Sequence, residues 1–311
     1  MTTDPNALPE LSFDRQEIPP SVMSATRPLY WSVRRELWEN RSIYLAPLIV
    51  AAVVLFGTFI STIGLPRRMR AAAALDPARQ HAAIVGPYSI APGPIILTAF
   101  LVGIFYALDA LHGERRDRSI LFWKSLPVSD RTTVLSKASI PLVVLPLIGF
   151  LLGVATQFVI LLVSITTLLA HGVSAATLWG EFRFIQQPLV MIYGLTVHVL
   201  WFAPIYAWLL LVSAWARRMP ILWALFPLLA IPLAEKVTFN TTYFSSMLRY
   251  RVIGAMTEAF AIKPQHGAII DRLTQLDPVR FISAPGLWVG LAFAAAFLAA
   301  AVRLRRNRQP I

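Results

Sequence analysis

Six apolar stretches divide the chain, at residues 44–64, 90–111, 140–170, 188–215, 219–234 and 286–302. Their apolar residues run on continuously and do not alternate with polar ones, which points to helices. About 20 apolar residues cross a bilayer as a helix, and a backbone in hydrocarbon must satisfy its own hydrogen bonds. The pattern therefore predicts an all-α, polytopic membrane protein with six transmembrane helices. Prolines qualify three of them. The second is entered through Pro87, Pro92 and Pro94, which kink or break a helix they fall inside. The third, at 31 residues, exceeds one minimum crossing and must tilt, extend beyond the hydrocarbon or break near Pro141 and Pro146. The fifth is short and carries Pro220, Pro227 and Pro232, so a broken or thin helix is expected there.

The polar stretches between them are unequal. Residues 1–27 hold Asp4, Glu10, Asp14, Glu17 and four prolines, with no apolar core ahead of a small-residue cleavage site. They read as a flexible tail, not a signal peptide. Over residues 28–42 the pattern is amphipathic: Leu29, Tyr30, Val33, Leu37 and Trp38 recur near helical spacing among Arg34, Arg35, Glu36, Glu39 and Arg41. Such a helix lies in the membrane interface or simply opens the first crossing. A loop with Arg67, Arg68, Arg70 and Arg79 follows the first crossing, and a short connection with Glu181 and Arg183 follows the third. Residues 235–285 are too long for an ordinary connection and should contain short helices.

The densest polar stretch, residues 112–139, is a charged island between the second and third crossings. Within it, residues 114–137 carry six Lys/Arg and three Asp/Glu together with Ile120, Leu121, Phe122, Trp123 and Leu126. That mixture suits a folded docking surface at a membrane face: apolar anchors at Ile120, Leu121, Phe122 and Trp123, with orienting charges at Arg115, Arg116, Asp117 and Arg118. Pro127 would end one short helix, Ser129 or Asp130 would cap the next, and Lys137 would sit at the entrance to the third crossing. Head-group anchoring accounts equally well for either aromatic taken alone, and topology determination accounts for the arginines.

Composition adds direction. The chain of 311 residues is 57% apolar and 14% charged, with a formal charge of +12. Its basic residues flank the apolar runs, where anionic lipid and the orientation rule explain them, so nucleic acid is a poor partner. Placing both termini in the cytoplasm puts 17 of the 28 Lys/Arg inside, although Arg67, Arg68 and Arg70 oppose that arrangement. There is no cysteine, which removes disulfides, thiol catalysis and Cys-based metal sites.

Chemistry-bearing motifs are sparse. No Gly-rich phosphate loop occurs and none of the four lysines follows a glycine, so no P-loop ATP site is present. His81, His112, His171, His198 and His266 lack the paired spacing of a helical zinc site, and no Gly-x-Ser-x-Gly elbow is found. The chain is thus not expected to be an enzyme. Asp109, Gln157 and His198 are the intramembrane polar candidates. An acid inside a span is costly and often functional, but Asp109 is near enough to the island to reach the interface or pair with Arg115 or Arg116. Gln157 could bond across helices or face a path, and His198 reads first as a hydrogen-bonding packing residue. The Gly149/Gly153 and Gly286/Gly290 spacings permit close helix packing without identifying a dimer seam.

The six-crossing plan together with Glu114-Arg115, Ser125-Leu126-Pro127-Val128-Ser129 and Lys137 resembles the ABC-2 type transporter permease family. The motif is confined to about 25 residues, and Arg118-Ser119 stands where family members often have a glycine. The resemblance implies that Glu114, Arg115, Arg116, Arg118, Ile120, Leu121, Phe122, Trp123, Leu126 and Pro127 engage a separate ABC-type ATPase subunit, which alone binds ATP and Mg. It also implies an interface helix at residues 28–42, an extracytoplasmic short-helix element at residues 235–285, and pairing with a second copy or a homologous permease subunit. The setting would be a bacterial cytoplasmic (inner) membrane, both termini cytoplasmic, with lipids as further partners and export as the direction. Two rivals stand beside it: a nontransporting scaffold of an envelope complex that uses the same island, and a membrane enzyme with Glu258, His266 or Asp271 at its centre.

Overall fold

The computed structural model describes residues 26–125, 128–182, 185–261, 270 and 272–307. Nearly all of the expected tail, and also Leu126, Pro127, Arg183, His266 and Asp271, lie outside the described residues. Among those described, six helical stretches are long and apolar enough to cross a membrane: Ser42–Ala72, Arg79–Arg116, Asp130–Ala170, Gln186–Trp215, Pro220–Phe239 and Pro285–Asn307. The protein is an all-α, multi-pass membrane protein.

Helix α1 (Thr26–Glu39) precedes α2 (Ser42–Ser61), which passes through a 3₁₀ turn at Thr62–Gly64 into α3 (Leu65–Ala72). The arginines expected on a loop are therefore helical here. Pro66 falls in the first turn of α3, where its missing N–H leaves nothing unpaired, and the Arg68 guanidinium folds back to donate to the Ser61 carbonyl at the end of α2. Helix α4 (Pro77–Ile90) starts at an Asp76 cap that accepts the Arg79 N–H at 3.2 Å. The proline-rich entry to the second crossing resolves into a break at Ala91 and Pro92, after which α5 (Gly93–Asp109) begins.

Two short helices, α6 (His112–Arg116) and α7 (Ser119–Ser125), lead to α8 (Asp130–Ser139). Of the two caps expected for α8 it is Ser129 that serves, accepting the Thr132 N–H at 3.1 Å. Helix α8 continues through a π-helical turn at Ile140–Val144 into α9 (Leu145–Ala170). Pro141 and Pro146 both lack an amide hydrogen, and the wide turn spans the gap they leave in the ladder. The third crossing thus extends well beyond the hydrocarbon without breaking.

Helix α10 (Ala176–Glu181) occupies the connection to α11 (Gln186–Trp215). The fifth crossing corrects the sequence expectation, because α12 (Pro220–Phe239) is one unbroken helix of 20 residues. Pro220 sits harmlessly in its first turn, and the Trp208 indole donates to the Ala224 carbonyl at 3.3 Å in the turn that Pro227 loosens. The segment beyond it contains α13 (Tyr243–Ala259) and α14 (Pro278–Ser283), and α15 (Pro285–Asn307) completes the fold.

Helix α11 is the axis of the packing: 56% of its most apolar window is buried, against 6% for α12. Helix α15 lies along it, while α2, α5 and α9 form a second group against its other side. Ala107, Leu108, Ala138, Leu209 and Leu210 join α5, α8 and α11 in one buried cluster. Outward-facing Phe56, Phe59, Phe105, Leu151, Phe226 and Leu229 are exposed, as helices solvated by lipid require.

The Gly286 and Gly290 pair is used inside the chain. Its bare surface on α15 receives Tyr250 and Arg251 of α13. The Arg251 guanidinium donates to the Trp201 carbonyl at 3.0 Å and the Gly286 carbonyl at 2.7 Å, and lies 4.8 Å from the Trp201 ring. Gly149 and Gly153 likewise let α9 approach Ala99, Pro92 and Met191. Replacing Gly290 with Leu must expel Arg251 and should cost about 2 kcal/mol, read as a lower unfolding midpoint and faster proteolysis within residues 243–259. Gly57→Ala, which meets nothing within 4 Å, should leave both unchanged.

Candidate functional site

The charged island is rooted in the bundle by two reciprocal contacts. Where α5 ends, the Leu111 and His112 N–H groups donate to the buried Ser213 hydroxyl of α11 at 3.0 and 2.9 Å. In return the Arg115 guanidinium donates to the Ala214 and Ala216 carbonyls at 2.8 and 3.2 Å, closing the open end of α11.

Beside this joint lies a largely buried ion network. The Glu36 carboxylate of α1 accepts from Lys137 Nζ at 2.9 Å, Arg35 at 2.7 Å and the Tyr106 hydroxyl at 2.7 Å. Glu114 meets Lys137 at 3.1 Å, Arg35 at 3.3 Å and Arg305 at 3.0 Å, and Arg305 reaches on to Asp130 at 2.8 Å. Three carboxylates and three cations meet in this way, joining α1, α5, α6, α8 and the end of α15, and Glu39 adds a fourth carboxylate at the edge, 3.6 Å from Arg35. Glu36, Glu114, Lys137 and Arg305 are all buried. Burial pushes the Glu36 carboxyl up, but Lys137, the Tyr106 hydroxyl and Arg35 outweigh it and hold its pKa below the ordinary 4.5. Glu39, one turn along α1, moves the other way: burial, with Glu36 and Glu114 adding to it, raises its pKa against the pull of Arg35.

Helix α7 has two sides. Ile120 and Trp123, three residues apart, face the protein: Ile120 is fully buried and the Trp123 ring lies under Arg35, 3.8 Å from guanidinium carbon to ring centroid. Leu121 and Phe122 face away, 59% and 60% exposed. Arg118 enters α7 in the left-handed conformation, with φ of 58°, which glycine adopts without strain.

The ten residues singled out in the island therefore part into groups. Glu114, Arg115 and Ile120 are buried and bound within the chain; Trp123 is half-buried; Arg116, Arg118, Leu121 and Phe122 are exposed. Leu126 and Pro127 lie outside the described residues. Asp109 is exposed at the end of α5 and, of its two expected partners, contacts Arg116 at 3.8 Å. Gln157 bonds across helices, donating to the Tyr88 carbonyl at 3.1 Å and meeting Gln187 at 3.5 Å. His198 stacks on Phe100 with ring centroids 3.4 Å apart, 3.2 Å from the Tyr206 hydroxyl. None of these bonds or ring contacts joins one of the three to another.

Sequence reading missed Glu36, Tyr106 and Arg305 as members of the network. One signal was available: Glu36 lies three residues after Val33 and seven after Leu29, a charge on the apolar stripe of α1. The stripe itself is divided in the structure, since Val33 and Leu37 pack inward while Leu29, Tyr30 and Trp38 are exposed. Among the described residues no group of three or more His, Asp or Glu side chains could hold a metal ion. No protein-family model, no curated protein and no solved structure matches this chain.

Glu36→Gln should destabilise the protein by about 3 kcal/mol, because it leaves buried cations short of an anion, and Lys137→Met in the same chain should recover more than half of that loss. The pH dependence follows from the sign of the Glu36 shift. A folded pKa below the unfolded one stabilises the fold above the ordinary carboxylate range and is lost as pH falls through the lowered value. Unfolding midpoints taken from about pH 6 down to about pH 3 should fall in the native chain and fall less steeply in Glu36→Gln.

Proposed function

We propose that the chain is the membrane-spanning permease subunit of an ABC transporter of the ABC-2 kind, an exporter driven by a separate ATPase subunit that grips α7. The observation that carries this reading is the two-sided build of α7. An apolar pair, Leu121 and Phe122, is presented outward from a short helix whose other side is fixed by Ile120 and by Arg35 on Trp123. A surface that receives force must be apolar enough to be held by a partner and stiff enough to pass displacement on. Here the stiffness comes from the ion network, so that movement of α7 is delivered to α1, α8 and α15 together.

Further features support it. Six crossings fit such a subunit, and Arg116 and Arg118 stand exposed beside the apolar pair. In this reading the network end faces the cytoplasm of a bacterial inner membrane and both termini lie there. The partner ATPase binds ATP and Mg and performs the hydrolysis, while this chain pairs with a second copy or a homologous permease subunit and opens a path as the motors close.

The test is copurification of the full chain in mild detergent, identification of stoichiometric partners, and ATPase turnover in lipid. A bound P-loop ATPase is expected, with disulfide crosslinks from Leu121→Cys or Phe122→Cys that change with nucleotide. Phe122→Ala should weaken its binding about tenfold to thirtyfold while membrane insertion stays intact. Binding of a partner without any link to nucleotide turnover would favour the scaffold, and reproducible absence of an ATPase would end the transporter reading.

A further inference from the structure

The end of the bundle away from the ion network holds a cleft with a polar head and an apolar tail. A cavity of ≈ 270 Å³ lies between α2, α3, α4 and α9, and its lining includes Thr58, Ser61, Arg68, Tyr88 and Ser164. Among the described residues that line it, Arg68 is the single cation and there is no carboxylate. Thr58 and Ile160 also line a second cleft of ≈ 270 Å³ that continues between α2 and α9 along Phe56, Phe59 and Val159. Those three side chains are exposed, so this second part opens to the lipid side.

We propose that this cleft is a binding site for one anionic phospholipid, its head group at Arg68 and one acyl chain between α2 and α9. The tail groove supplies shape but little preference, because the surrounding lipid is as apolar as the groove and an acyl chain gains only close contact on entering it. Selectivity must come from the head. Arg68 is always charged and carries five N–H donors in a planar fork that matches a phosphate. One of them already donates to the Ser61 carbonyl, which fixes the guanidinium at the end of α2 beside the cavity. With no acid among the described lining residues, the site's uncompensated charge is positive, and Arg68 follows directly on the apolar run of residues 44–64, where a crossing helix would meet the head groups. A polar head with an uncompensated cation joined to an apolar tail groove describes the complement of an anionic amphiphile. The inference does not depend on the transporter reading.

The full chain in nanodiscs, analysed by native mass spectrometry, tests it with phosphatidylglycerol against phosphatidylcholine of equal chain length. One phosphatidylglycerol per chain should be retained with about fivefold preference, the effect of one basic residue at the interface. Arg68→Gln should abolish the preference, Arg67→Gln, which removes the same charge from the same helix but lies outside the lining, should keep it, and Val159→Trp should reduce retention of the lipid. Equal loss in Arg67→Gln would reduce the effect to general surface charge. Competition by glycerol phosphate as strong as by phosphatidylglycerol would make it a free-anion site, and an unselective native chain would leave no site at all. Each of these three results overturns the proposal.

Discussion

Burying charge without water is tolerable only when every charge has its partner at once, and that constraint governs how this protein is put together. Glu36, Lys137, Glu114 and Arg305 come from four separate helices and are all withdrawn from solvent. Each would be costly alone, so the helices that carry them must arrive together. The gain is less in net stability than in uniqueness: a rotated α1 or a shifted α15 would leave an unpaired ion in a dry place. Arg115 adds the same logic in milder form, tying the start of the island to the open carbonyls of α11.

The consequence for mechanics is a division of the island into root and surface. Its charges read most easily as docking features turn inward at Glu114 and Arg115, and among the described side chains of α7 the large ones left outward are Leu121 and Phe122. A partner that holds those two side chains holds a lever whose other face is already bonded to α1. Rigid-body displacement is then favoured over local bending, since bending would strip Arg35 from Trp123 or from Glu36.

Most of the crossings were legible because their signal is local. Continuous apolar runs locate the six helical stretches, which extend past the runs mainly at Ala72, Arg79 and Asp130, and Ser129 as a cap needs only its own neighbours. Proline was read less well. At Pro220, Pro227 and Pro232 the sequence suggests interruption, yet α12 runs on as one helix: Pro220 lies in its first turn, and a proline further in removes one donor without ending the helix. The network was not legible for a different reason. Glu36 and Lys137 are 101 residues apart and Glu114 and Arg305 191 apart, and nothing in one sequence states which distant charges will meet. The position of Glu36 on an apolar stripe announced that some partner existed, not which one.

The π turn at Ile140–Val144 has a bearing on how the third crossing is to be read as a rod. Five residues spend themselves on a turn wider than the rest, so the angular phase of α8 is offset from that of α9. The face of α8 that brings Lys137 to Glu36 is therefore chosen independently of the face of α9 that packs against α2. A single helical wheel drawn across residues 130–170 would put its two halves out of phase. The turn around Pro141 acts as a phase-setting joint, letting one continuous helix answer to two unrelated surroundings, a buried ionic one at its start and an apolar one beyond.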